Sequence, residues 1–175
     1  MTVIVGFCAA RANTGKTTLI LRVLEELERR GVTAAVLKHG RHLDKDSGKD
    51  SSRYAARTDA LFVSPEGWVL ESRPRQELPL ERAVELICGV SGCQVLLIEG
   101  YKKAPLPKIA LCRQAVSLEL PCPASELAAV VSDLPLEVGV PCFGYDDIGP
   151  LCDLILSMEP GNDPGMDHGM EPGKD

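Results

Sequence analysis

Residues 3–8, Val-Ile-Val-Gly-Phe-Cys, form a continuous apolar run, and residues 17–30 carry Leu19, Ile20, Val23, Leu24 and Leu27 at helical spacing. Between them stands Ala10-Arg11-Ala12-Asn13-Thr14-Gly15-Lys16-Thr17-Thr18. A short apolar run without alternation reads as a strand buried on both faces, as in a parallel sheet. When such a strand passes through Gly-Lys-Thr straight into an amphipathic helix, the connection is suited to hold a phosphate chain. That task needs inward backbone N–H groups, a helix N-terminus behind them, a mobile ammonium and a hydroxyl for Mg²⁺. The backbone of Asn13, Thr14 and Gly15 would line the chain, Lys16 would reach the β/γ-phosphates and Thr17 would ligate Mg²⁺. The pattern departs from G-x-x-x-x-G-K-[ST] at Ala10. Asn13 stands where a second glycine often sits, and asparagine tolerates a left-handed backbone better than most residues.

The alternation continues down the chain. Gly31 is placed to end the first helix, and residues 33–37 are a second apolar run. Strands are predicted at 60–63 and 68–70 around a Ser-Pro-Glu-Gly turn, then at 95–98, 108–112, 128–131 and 140–143. Helices are predicted near 53–58, over 80–90 and over 146–158. Strands alternating with amphipathic helices imply an α/β domain with a mainly parallel sheet flanked by helices. The 60–71 hairpin and the 108–112 strand are expected to add antiparallel pairing. Residues 159–175 are Gly/Pro-rich and acidic and cannot bury a core, so the expected organisation is one domain over 1–158 and a disordered tail.

Three further segments carry chemistry. The apolar strand 95–98 ends in Glu99-Gly100, placing a carboxylate near the metal and its waters, while Gly100 would leave room for the γ-phosphate. From 38 to 57 there are six Lys/Arg against three Asp, a basic stretch in an acidic chain. There Lys49, Arg53 and Arg57 fall at i, i+4 and i+8 and would share a helix face suited to phosphates or an acidic partner. Finally, Val130-Val131-Ser132-Asp133 ends a strand with an acid, positioned where guanine-binding members of related folds place an Asp on the purine, or else a turn or helix-cap aspartate.

Charge and composition exclude several classes. The formal net charge is −6, and residues 1–158 keep −2 of it once the tail's five acids and one lysine are set aside. A general nucleic-acid binder needs an excess of basic charge. No apolar run approaches the roughly 20 residues of a membrane span, and the N-terminus does not read as a signal peptide. The seven cysteines are odd in number and contain no C-x-x-C, so they read as buried free thiols in a reducing cytoplasm.

With these elements in view, the sequence resembles the molybdopterin-guanine dinucleotide biosynthesis protein B (MobB) family from residue 3 to about 156. The resemblance is carried by A-x-x-x-x-G-K-T-T-L at 10–19, K-H at 38–39 with G-K-D-S-x-R at 48–53, and L-I-E-G-Y-K at 97–102 followed by Pro107-Lys108-Ile109 and Arg113. It implies a small dimeric GTP-binding protein with a phosphate-loop α/β fold, acting with the guanylyltransferase MobA that joins GMP to molybdopterin. Such a protein would hydrolyse GTP only weakly. Molybdopterin itself or a molybdoenzyme is a further partner to consider.

By the same resemblance Gly15, Lys16, Thr17 and Thr18 would bind GTP and Mg²⁺, and Glu99 and Gly100 would sit near the γ-phosphate. Lys38, His39, Lys49, Asp50, Ser51 and Arg53 would form the family's functional loop. This loop is shorter here, with Gly40-Arg41 in place of a more histidine-rich run. Two other functions stay open. One is a small-molecule kinase with Arg53 or Arg57 as lid arginines, and the other a metal-delivery GTPase using His39, His42 or cysteines. Asp44, Asp46 or Asp50 could orient an attacking water, and the spacing does not choose among them.

Overall fold

The computed structural model describes residues 1–40, 57–58, 60–71 and 77–161. Contacts gather the chain into two units, Met1–His39 with Leu80–Asp175, and Gly40–Pro79, a finer division than one domain over 1–158. The expected helix near 53–58, and with it the Lys49–Arg53–Arg57 face, lies outside the described residues apart from Arg57, which sits in a turn. Most of the tail, 162–175, lies outside them too.

The larger unit is built on a six-stranded sheet in the order β2-β5-β1-β6-β7-β8. Its strands are β1 (Val3–Ala9), β2 (Ala34–Lys38), β5 (Val95–Glu99), β6 (Lys108–Cys112), β7 (Leu127–Ser132) and β8 (Cys142–Phe143). Every pairing in this sheet is parallel, with Val5 opposite Leu97 on one side of β1 and Phe7 opposite Ile109 on the other. The 108–112 strand therefore adds no antiparallel pairing. Its neighbours β1 and β7 both run with it, because residues 100–107 cross over and return the chain to the far side of β1.

Among the described residues, three helices cover the sheet: α1 (Lys16–Arg29), α2 (Leu80–Ser91) and α3 (Ile148–Ser157). On one face, Val5, Phe7, Leu97, Ile109, Leu111 and Val131 pack against Leu19, Val23 and Leu27 of α1 and Leu151, Cys152 and Ile155 of α3. On the other, Leu96 and Ile98 meet Val84 of α2, while Cys8, Ala110, Cys112 and Val130 are covered by irregular chain bearing Leu120, Cys122, Leu136 and Val138. Burial on both faces explains why these strands read as unbroken apolar runs instead of alternating ones. A charged residue also lies in the core, since β6 opens on Lys108, which is 1% exposed.

The smaller unit contains an antiparallel hairpin, β3 (Ala60–Ser64) with β4 (Gly67–Glu71), joined at the Ser-Pro-Glu-Gly turn with Ser64 opposite Gly67. Leu61, Val63, Trp68, Val69 and Leu70 of this hairpin are exposed.

All seven cysteines are free thiols, but their surroundings differ. Burial, with Cys122 adding to it, pushes the Cys8 thiol up to about 12, and burial pushes Cys152 to about 11. Only the thiolate attacks an alkylating agent, so a raised pKa lowers reactivity near neutral pH. At about pH 8, iodoacetamide is expected to label the exposed Cys142 well before Cys8 or Cys152. Peptide mass spectrometry over time checks the order, and equal labelling rates would contradict the burial argument.

Candidate functional site

The crevice for a ligand in an open parallel sheet lies at the carboxyl ends of the strands, where successive connections leave in opposite directions. Here that point is the end of β1, flanked by β5 and β6. The chain leaves β1 through Asn13, at φ +60°, and Gly15, at φ +90°, before α1 begins at Lys16. The left-handed backbone expected of Asn13 is present. Two left-handed residues in three turn successive N–H groups toward one concave side, an arrangement that binds anions.

The N-terminus of α1 completes the cradle. Gly15 is its N-cap, no side chain caps it and the first turn has no acid. Its first N–H groups thus lack the acceptors that a capping side chain would supply, and the helix dipole favours negative charge at the same place. Lys16 is half-buried, and no ion pair holds its ammonium among the described residues. Thr14 is 1% exposed, yet its Oγ1 has no hydrogen-bond partner among the described residues. A buried hydroxyl without a partner is uncommon in a native protein. These features fit a phosphate chain.

Glu99, the last residue of β5, sits beside the loop. Its Oε2 accepts from the Thr17 hydroxyl at 3.5 Å and pairs with the Lys38 ammonium, also at 3.5 Å. Register explains this meeting, because Lys38 is the direct neighbour of Glu99 across the β2–β5 pair. The Thr17 hydroxyl and the Glu99 carboxylate are oxygen donors of the kind Mg²⁺ takes, one direct and one suited to act through a water. Thr18, exposed on the first turn of α1, points no contact into this group.

His39 continues β2: its N–H donates to Glu99 O at 2.9 Å, and its ring lies 4.4 Å from that of Tyr101. Gly100 has φ +111°, and a Cβ there would stand 2.9 Å from His39 Cβ and 3.1 Å from His39 O. The space that the missing side chain of Gly100 leaves is filled by His39. Lys49, Asp50, Ser51 and Arg53 lie outside the described residues, as do His42, Asp44 and Asp46.

The opposite wall comes from β6, β7 and the segment after β8. Asp133 follows β7, is exposed, and its Oδ1 accepts from the Gln114 N–H at 2.8 Å, so one carboxylate oxygen is engaged in shaping the turn after β6. Tyr145 donates its hydroxyl to Thr14 O at 2.9 Å, and its own carbonyl accepts from Arg22 at 2.6 Å. The phenol thereby pins the phosphate loop to α1. Burial raises the pKa of Tyr145 and keeps the phenol protonated as a donor. Nothing in the spacing of the sequence singles out Tyr145, because its partner is 131 residues away.

Among the described residues, no three His, Cys, Asp or Glu side chains converge as a metal site. A cleft of about 530 Å³ lies along Lys103–Lys108 and Ser125–Ala128 and includes no residue of the phosphate loop.

Known proteins resemble this chain in sequence and fold. The family model described as molybdopterin guanine dinucleotide synthesis protein B (MobB) matches residues 4–133. A probable molybdopterin-guanine dinucleotide biosynthesis adapter protein from Bacillus subtilis (strain 168) is 36% identical over 165 residues, covering 89% of this chain and 90% of its own. The molybdopterin-guanine dinucleotide biosynthesis adapter protein of Escherichia coli (strain K12) is 31% identical over 156 residues, with 85% and 89% covered. The crystal structure of Bacillus subtilis MobB superposes with a TM-score of 0.67 at 29% identity, over 91% of this chain and 99% of that one. The matched span runs from β1 through the phosphate loop and the Glu99 strand to Asp133, and on that ground the chain belongs to the MobB family.

Proposed function

We propose that this protein is a GTP-binding adapter in the biosynthesis of molybdopterin guanine dinucleotide, assisting a MobA-type guanylyltransferase and hydrolysing GTP slowly at most. The observation that carries the nucleotide half is the uncapped start of α1 at Lys16, with the left-handed Asn13 and Gly15 in the loop before it. The pathway half rests on the family.

In this reading the backbone of Asn13, Thr14, Gly15, Lys16, Thr17 and Thr18 wraps the phosphates, and the Lys16 ammonium neutralises the β- and γ-oxygens. Thr17 and Glu99 hold Mg²⁺, which when bound supplies charge neutralisation between those oxygens. Lys38 keeps the Glu99 carboxylate turned toward Thr17. Gly100 lets His39 pack close, which sets the floor on the β5 side. Asp133 offers its second carboxylate oxygen to the guanine edge. Slow hydrolysis is in keeping with Glu99, whose carboxylate is already committed to Thr17 and Lys38. Lys49, Asp50, Ser51 and Arg53 belong to the loop that meets the nucleotide or the partner enzyme. The protein acts in the cytoplasm as a homodimer. A two-stranded hairpin is marginal in water by itself, and the exposed apolar residues of β3 and β4 are in keeping with a further association.

Calorimetric titration with GTP and ATP, with and without Mg²⁺ and molybdopterin, tests the proposal. GTP with Mg²⁺ is expected to bind at least about tenfold more tightly than ATP, a difference of about 1.4 kcal/mol. Equal affinities would overturn the choice of guanine. Steady ATP turnover with a small acceptor would turn the assignment toward a kinase, and stoichiometric nickel or zinc binding toward metal delivery.

A further inference from the structure

Arg113 follows the last residue of β6, where the backbone closes a tight turn. Arg113 N donates to Ser117 O at 3.0 Å, and Arg113 O accepts from Val116 N at 2.9 Å and Ser117 N at 2.8 Å. The turn fixes the direction in which the side chain leaves the sheet. Its guanidinium carbon lies 4.5 Å from the centroid of the Tyr145 ring, within the range of cation–π attraction. Its Nη2 comes within 3.4 Å of the position a Cβ on Gly15 would take.

A cation is thus held against the glycine of the phosphate loop on a platform that is itself fixed. The Tyr145 hydroxyl is bonded to Thr14 O, its carbonyl to Arg22, and the next residue, Asp146, pairs with Arg22 at 3.0 Å. Among the described residues no carboxylate pairs with Arg113 within 4.0 Å. A guanidinium lying over a ring still has N–H donors to offer, and its fork matches phosphate oxygens. A half-buried cation with no paired carboxylate among the described residues, beside a loop suited to an anion, is placed to meet that anion.

We propose that Arg113 is a second cation of the phosphate site, donating to the phosphate chain from the β6 side while Lys16 reaches it from α1. The assignment rests on the phosphate-loop reading above and deepens it.

The test compares wild type, Arg113→Gln, Arg113→Lys and Lys16→Ala, titrated with GTP and GDP, with guanosine as competitor, alongside melting of the nucleotide-free proteins. Arg113→Gln is expected to weaken GTP and GDP roughly 10- to 100-fold, the loss of one or two hydrogen bonds to a charged group. Guanosine competition and the nucleotide-free melting temperature should stay unchanged, and Arg113→Lys should restore part of the affinity. GTP binding by Arg113→Gln equal to wild type would overturn the proposal. So would a lowered melting temperature with GTP, GDP and guanosine weakened alike, because that outcome makes Arg113 a support for Tyr145 only. If Lys16→Ala binds normally, or wild type binds no nucleotide, the phosphate-loop reading itself fails and takes this role with it. Loss in Lys16→Ala with none in Arg113→Gln overturns the Arg113 role alone.

Discussion

Replacing Lys16 with alanine is expected to abolish measurable GTP binding while leaving the fold intact. The ammonium is half-buried beside the loop, and no carboxylate holds it among the described residues, so its removal breaks no ion pair seen in the structure. A substitution without such partners typically changes stability by no more than about 0.5 kcal/mol. The ligand side is different. Lysine contacts with β- and γ-phosphate oxygens are charge-assisted, and losing two of them costs at least about 100-fold in affinity. Calorimetry on Lys16→Ala, with circular dichroism melting as the control, separates the two effects. Unchanged GTP affinity in a normally folded variant would remove the basis for calling 10–18 a phosphate loop.

The second large effect is expected far from the nucleotide. Lys108 opens β6 with its side chain 2% exposed, and its ammonium is 2.6 Å from Glu126 Oε2. Glu126 ends a single 3₁₀ turn, Ala124–Glu126, that leads into β7, and it is 45% exposed. Cutting the carboxylate away leaves a charge buried without its partner, and breaking a buried pair from one side costs about 3–5 kcal/mol. The exposure of Glu126 admits water and argues for the lower end. Glu126→Ala should therefore lower the melting temperature by roughly 6–12 °C, at about 2–4 °C per kcal/mol for a domain of this size.

A second substitution separates the charge from the packing. Lys108→Met in the Glu126→Ala background removes the stranded ammonium and fills the same space with an apolar chain. It is expected to recover most of the loss, because an apolar replacement for a buried pair is often neutral. A Glu126→Ala melting point within a degree or two of wild type would show that water reaches Lys108 and that the pair contributes little.

These two residues also show where sequence patterns stop being informative. The run 108–112 reads as a strand, and it is one, but the pattern does not reveal that its lysine lies inside. Strand direction was the other gap. Antiparallel pairing looked open to 108–112, whereas the crossover of 100–107 makes β6 parallel to both neighbours. The phosphate loop, by contrast, could be read closely. Asn13 and Gly15 each take the left-handed backbone that their residue types allow, and α1 starts at the lysine. The position of Glu99 beside Thr17 also follows from its own strand, since a carboxylate that ends an apolar run emerges at the carboxyl end of the sheet.

By itself the sequence determined the buried parallel strands, the helix behind the phosphate loop and the conformation of that loop. All of these depend on neighbours within a few residues: apolar period, glycine and asparagine at left-handed positions, a lysine at the first helical turn. Tertiary structure alone decided that Arg113 lies on Tyr145 against Gly15, that Tyr145 pins Thr14, that His39 fills the space beside Gly100 and that Lys108 is buried on Glu126. Each of these contacts joins residues from different strands or loops, and strand order with register sets which of them meet. Local periodicity carries no record of that order, so the loop could be recognised from the chain while its second cation could not.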